Sequence, residues 1–152
     1  MNKEIIKYPS PLLKKRAEEI KEISEDIQKL AKEMIEIMNA NQGVGLAATQ
    51  IGESKRIIVV DPGDGPRIFF NPRIFKKSWK KEIIEEGCLS LPGYSLRILR
   101  PKEIEIDFLD EKGERIKMKA NGLLARIIQH EIDHLDGILL LDRLNLWQKI
   151  WG

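Results

Sequence analysis

Both histidines of the chain fall in one short stretch, QHEIDHLDG (129–137), four residues apart, with Glu131 directly after the first. On a helix that spacing places His130 and His134 on one face, a turn apart. Two imidazoles aimed at one point suit a divalent cation. Glu131, about 100° around the helix, can lean over the metal without ligating it. Leu123 and Ile127 continue the same stripe, so the imidazoles rise from an apolar wall. A third ligand is still required. Metallopeptidases built on H-E-x-x-H take it from downstream, where this chain has no histidine and, close by, only Asp136 and Asp142. Upstream, EEGCLSLPG (85–93) holds the single cysteine, Cys88, between a strand-like run and a Pro-Gly turn. A free cysteine is commonly a small buried hydrophobe. Beside a two-histidine helix, Cys88 instead completes a Cys-His-His set.

These residues need elements to position them. Ser24 followed by Glu25 and Asp26 reads as a helix start, and Ile27, Leu30, Ala31, Met34 and Met38 repeat at helical spacing, predicting an N-terminal amphipathic helix over about 25–39. It ends before the glycine-rich GVGLAATQIG (43–52). There Gly43 and Gly45 serve as turn formers or admit a close backbone approach, and Gln50 can brace the loop. RIIVVD, RIFFN and KEIIEE read as strands, broken by PGDGP and by Pro72. The alternation of Ile104, Ile106 and Phe108, a polar DEKG turn, then Ile116 and Met118, predicts a hairpin. A second helix runs from Asn121 and Gly122 to about Asp136, with Gly137 in the C-cap position, and carries the histidines. The fold class is α+β: small antiparallel sheets packed around a central metal-binding helix, with the amphipathic helix ahead of them. Without repeats or linkers, residues 1–152 are expected to form one domain.

Composition excludes several classes. With 42% hydrophobic and 33% charged residues the chain reads as globular rather than disordered. No apolar run approaches the roughly 18 residues of a membrane span, and MNKEIIKYPSPLLKKR lacks a secretory h-region. The expected address is the cytoplasm of a bacterium, and one cysteine agrees with a reducing compartment. The 26 basic and 24 acidic residues are interleaved, which predicts no membrane partner and no direct nucleic-acid readout.

In order and separation, GVGLAATQIG (43–52), EGCLS (86–90) and QHEIDHLDG (129–137) resemble the three signature motifs of the peptide deformylases, and the resemblance spans nearly the whole chain. It implies an enzyme that removes the N-formyl group from the initiator methionine of nascent polypeptides and releases formate. It also implies that Cys88, His130 and His134 hold one metal ion, with a water in the open position as nucleophile. Iron(II) is the metal that family precedent favours, with zinc, nickel or cobalt as replacements. Glu131 is then the general acid and base, while Gln50 and the backbone N–H of Leu89 stabilise the oxyanion. The segment Gly43 to Gly45 binds the substrate backbone in strand-like fashion. Val44, Ile84, Leu123 and Ile127 line the methionine pocket.

The chain departs from the pattern in two places. Some members carry an arginine seven residues after the ligand cysteine; here that position is Ser95, with Arg97 two further on. Many bacterial members continue into a basic C-terminal helix associated with ribosome docking, whereas this chain ends LNLWQKIWG, so only weak, transient ribosome contact is expected by that route. Two other functions use the same residues: a small zinc peptidase, which needs a downstream ligand, and a structural metal module, which needs four protein ligands and no exchangeable water. Glu131 beside a ligand and Gln50 in a glycine-rich loop have no purpose in the module.

Overall fold

The structure, a computed structural model, describes residues 3–144. Its first long element is α1 (Glu25–Ala40), started by Ser24, whose Oγ accepts from the Ile27 N–H at 3.3 Å. Glu25 and Asp26 occupy the first turn, where carboxylates meet the positive end of the helix dipole. Ile27, Leu30, Ala31, Met34 and Met38 form its buried stripe.

Five strands make one antiparallel sheet in the order β1 (Gly45–Ala47), β2 (Ile57–Val60), β3 (Arg67–Lys77), β6 (Glu103–Leu109) and β7 (Arg115–Asn121). The strands β4 (Lys81–Gly87) and β5 (Ser95–Pro101) form a separate antiparallel pair. The second helix, α2, spans Gly122–Leu135. Four consecutive apolar residues make β2, all fully buried, because both faces of the strand are covered. Ile57 and Val59 join the core with Met34 and Met38 of α1, and Ile58 and Val60 join the core with Ile128 of α2. The sheet thus separates the two helices, and α2 is enclosed: every residue from Ala125 to Leu135 is buried.

The β6–β7 hairpin has Ile106 opposite Met118 and Phe108 opposite Ile116, with the turn at Asp110–Gly113 tied by the Asp110 carboxylate. Pro72 does not end its strand, contrary to the sequence reading. β3 runs through it because a register shift between Phe70 and Arg73 relieves the ladder of the N–H that proline lacks. Asn71, at φ +48°, turns its amide to the backbone of Ile20, with both bonds at 2.8 Å. The sequence carries no sign of β1 inside the glycine-rich stretch, nor of β5 after the Pro-Gly turn. At the end of α2, Gly137 has φ +74°, and a Cβ there would run into the Lys14 carbonyl, so neither the conformation nor the space admits a side chain.

Candidate metal centre

Cys88 directly follows the end of β4, and His130 and His134 project from α2. Their donor atoms lie within 4.8 Å of one another, with Cys88 Sγ 3.2 Å from His134 Nε2. One thiolate and two imidazoles form a donor set suited to iron(II) or zinc. Both rings are held in place by burial, and His130 is oriented further by a hydrogen bond between Nδ1 and Glu86 Oε1 at 2.9 Å. That bond leaves Nε2 of His130 for the ligand side.

Glu86 anchors a buried ion network that sequence reasoning missed. Arg100 grips it with two bonds, Nε to Oε2 at 2.6 Å and Nη2 to Oε1 at 2.9 Å, and Arg126 adds a third at 2.5 Å. Arg100 also reaches Asp133 at 2.9 Å, and Asp133 in turn receives two bonds from Arg143. Charge therefore alternates from His130 through Glu86, Arg100 and Asp133 to Arg143. Burial pushes the Glu86 carboxyl up, yet the bonds from His130 and Arg100 outweigh it and hold the group at about 2. For the metal-free site, burial pulls His130 down, but Glu131, Cys88 and Glu86 raise it to about 10. His134 is kept well below its usual value by burial and by the charge of His130.

Glu131 stands beside the ligands. Its Oε1 is buried with no hydrogen-bond partner among the described residues, as is His134 Nδ1. Burial raises its pKa to about 7, against the pull of His130 and Arg100. The carboxylate fits only because residue 45 is glycine: a Cβ there would sit 2.5 Å from Glu131 Oε2 and 2.8 Å from Ile127 Cγ2.

A cavity of about 820 Å³ opens over these groups. Cys88, His130, Glu131, Gln50 and Leu89 line its reactive end. Gly43, Val44 and Gly45 line it along the free edge of β1, which among the described residues pairs only with β2. Ile84, Leu123 and Ile127 supply apolar wall; Val44, Ile84 and Leu123 are exposed while Ile127 is buried. His134 lies behind Cys88, against a much smaller cavity. Gln50 is fixed by its own loop, its Oε1 accepting from Ala47 N–H at 2.9 Å, which turns Nε2 toward Ser90 Oγ at 3.0 Å and Cys88 Sγ at 3.7 Å. The Leu89 N–H donates to no acceptor among the described residues. Neither Ser95 nor Arg97 is among the described lining residues; Arg97 is exposed and faces Glu85 across the β4–β5 ladder.

Residues 2–149 match the family described as Polypeptide deformylase. The chain belongs to that family. A peptide deformylase of Thermodesulfovibrio yellowstonii is 49% identical over 93% of this chain and 88% of its own length. One from Dictyoglomus thermophilum is 48% identical over 94% of this chain and 93% of its own. The crystal structure of the Thermotoga maritima peptide deformylase superposes with a TM-score of 0.91 at 40% identity, covering 93% of this chain and 97% of that one. As a peptide deformylase family member the chain is an enzyme that removes N-formyl groups from methionyl peptides, and its Cys-His-His cluster is able to bind a metal ion.

Proposed function

We propose that residues 1–152 act as a single deformylase domain in which Cys88, His130 and His134 hold one divalent cation and Glu131 moves the proton. The observation that carries this reading is the convergence of three donor atoms within 4.8 Å beside a buried carboxylate oxygen that has no partner among the described residues. The donor set fits a cation, with iron(II) the working ion and zinc, nickel or cobalt as substitutes. When bound, the cation would supply Lewis acidity, making a water held there acidic enough to lose a proton near neutrality.

The chain's own residues do the rest. Glu131, tuned close to neutrality, takes the proton from the attacking water and returns it to the departing amine. As the formyl carbon becomes tetrahedral its oxygen gains charge, and two donors serve it. Gln50 Nε2 turns one N–H from its long 3.7 Å approach to Cys88 toward that oxygen while keeping the bond to Ser90. The second donor is the Leu89 N–H. The substrate backbone adds to the free edge of β1 through Gly43, Val44 and Gly45. The methionine side chain covers Val44, Ile84 and Leu123 above the floor made by Ile127, burial that stabilises it by roughly 1.5–3 kcal/mol.

Formylated nascent chains are made in the cytoplasm, which is the proposed place of action. No described helix is long and apolar enough to cross a membrane. The C-terminal route to the ribosome lies outside the described residues. The test of the proton carrier is Glu131→Gln, which keeps the shape and loses the titrating group. Metal content is expected to stay at the wild-type level while kcat falls by about 10²-fold or more; metal loss with the amide in place would make Glu131 a ligand instead.

A further inference from the structure

The β3–β4 region is strongly basic. From Arg67 to Lys81 the sequence carries six basic residues and no acidic one, in a chain whose net charge is only +2. The stretch ends in an aromatic tip: Trp79, between β3 and β4, is 87% exposed. This tip is held firmly. Ser78 N–H donates to Glu103 O at 2.9 Å, Ser78 Oγ donates to Lys80 O at 2.9 Å and accepts from Glu103 N–H at 3.1 Å, and Lys102 N–H donates to Lys80 O at 3.0 Å. An indole presented to water on a braced connection makes no hydrogen bond or ring contact among the described residues that would explain it.

The neighbouring sheet face continues the pattern. Phe75 of β3 is exposed and lies under Lys117 of β7, whose Nζ is 5.6 Å from the ring centre. Arg73 and Arg115 share the Asp107 carboxylate, and Lys76 pairs with Glu105. Lys77, Lys80, Lys81, Lys117 and Lys119 have no carboxylate partner among the described residues. Lys76, Lys77 and Lys119 meet in a cleft of about 230 Å³, shared with Glu103 and Glu105, so the cleft by itself does not select an anion. Lys117 lies two residues before Lys119 on β7, and Lys80 and Lys81 follow Ser78 and Trp79, so further cations adjoin the residues that line the cleft.

We propose that this surface, Trp79 with the lysines of β3, β7 and the β3–β4 connection, binds single-stranded RNA. Aromatic faces set among lysines are the means by which a protein holds a single strand without reading its sequence: bases stack on the rings and phosphates follow the cations. A lipid surface fits less well, since an interfacial segment buries several apolar side chains together. Here one indole projects and the cations are spread over separate strands. The sequence shows the basic run of β3 but not its neighbour, because β3 and β7 lie almost forty residues apart in the chain. Glu103 and Asn121 line both this cleft and the catalytic cavity, so RNA held here lies beside the mouth through which a nascent peptide enters.

Binding is measured by the anisotropy of a labelled oligouridylate about twelve nucleotides long, between about 50 and 200 mM salt. The full chain is compared with Trp79→Ala and with the double variant Lys80→Gln, Lys81→Gln. Trp79→Ala is expected to weaken binding at least about fivefold, as loss of one stacked base does. The double variant is expected to reduce the slope of log K against log salt by about 1.4, or about 0.7 for each phosphate that is no longer neutralised. Formate release from a short formylated peptide stays unchanged in both variants, which shows them folded and keeps this proposal separate from the catalytic one. RNA binding weakened by both changes supports the assignment, whatever vesicles of phosphatidylcholine and phosphatidylserine do. No RNA binding, RNA binding indifferent to either change, or binding to those vesicles alone overturns it.

Discussion

Gly45 decides whether Glu131 can stand where it does. Any side chain at position 45 meets both Glu131 Oε2 and Ile127 Cγ2 at less than 3 Å, so the carboxylate and its neighbour must shift to admit it. Gly45→Ala is therefore expected to lower kcat/KM by about 10²-fold through displacement of the carboxylate, as misplacement of a catalytic group by about an ångström does. Metal content, measured in the same samples, stays near wild type because the atoms nearest that Cβ position belong to Glu131 and Ile127 and not to a proposed ligand. Activity within a few-fold of wild type would show that Glu131 need not sit against residue 45. The histidines, Glu131 and Cys88 are legible in the sequence because rare residue types stand at chemically meaningful spacings. Glu86 is not: it is one of many glutamates in the chain, and only the fold shows that its partners come from 14, 40 and 44 residues away.

Among the elements, α2 is bound to the β4–β5 pair by charge as well as by apolar packing. Glu86 of β4 joins Arg100 of β5 to His130 and Arg126 of α2, and Asp133 extends the chain to Arg143. Removing the Glu86 charge leaves two buried guanidinium groups short of a partner, a cost of about 3–5 kcal/mol for a broken buried pair. Glu86→Gln is thus expected to lower the unfolding free energy in urea by that amount. It should also loosen the metal about 10- to 100-fold in a chelator competition, since the support of His130 is weakened. Unchanged metal retention would show that burial alone orients the ring. Periodicity made α1 and the β6–β7 hairpin visible, because Met34 with Met38 and Ile104 with Ile106 repeat at the spacing of their elements. It could not reveal β1, three residues within a glycine-rich stretch, whose place is set by pairing with β2. Nor could it reveal that Pro72 lies in a bulge, a matter of register with β6.

For the molecule as a whole, stability toward acid depends on carboxylates held by arginine. Asp107, buried in β6, accepts from Arg73 at 2.7 Å and Arg115 at 2.6 Å. The bond to Arg73 lowers its pKa below the usual 3.8 against the effect of burial, with Arg115 adding to the lowering. A depressed folded value means that the contribution is complete above the unfolded value near 3.8 and disappears as pH falls through the folded one. Asp107→Asn is therefore expected to have a lower Tm than wild type at neutral pH and a flatter Tm profile below about pH 4. Parallel profiles would remove Asp107 from the account of acid stability. The central claim, that a cation held by Cys88, His130 and His134 serves deformylation, is tested most directly by formate release from formyl-Met-Ala-Ser. The protein is purified without oxygen, loaded with iron(II), zinc, nickel or cobalt, and assayed for metal beside the Cys88→Ala variant. The expected result is one metal ion per chain and formate released on every turnover, with metal and activity lost together in Cys88→Ala. Turnover in none of the four metal forms, or a fully active and metal-replete Cys88→Ala protein, would contradict it.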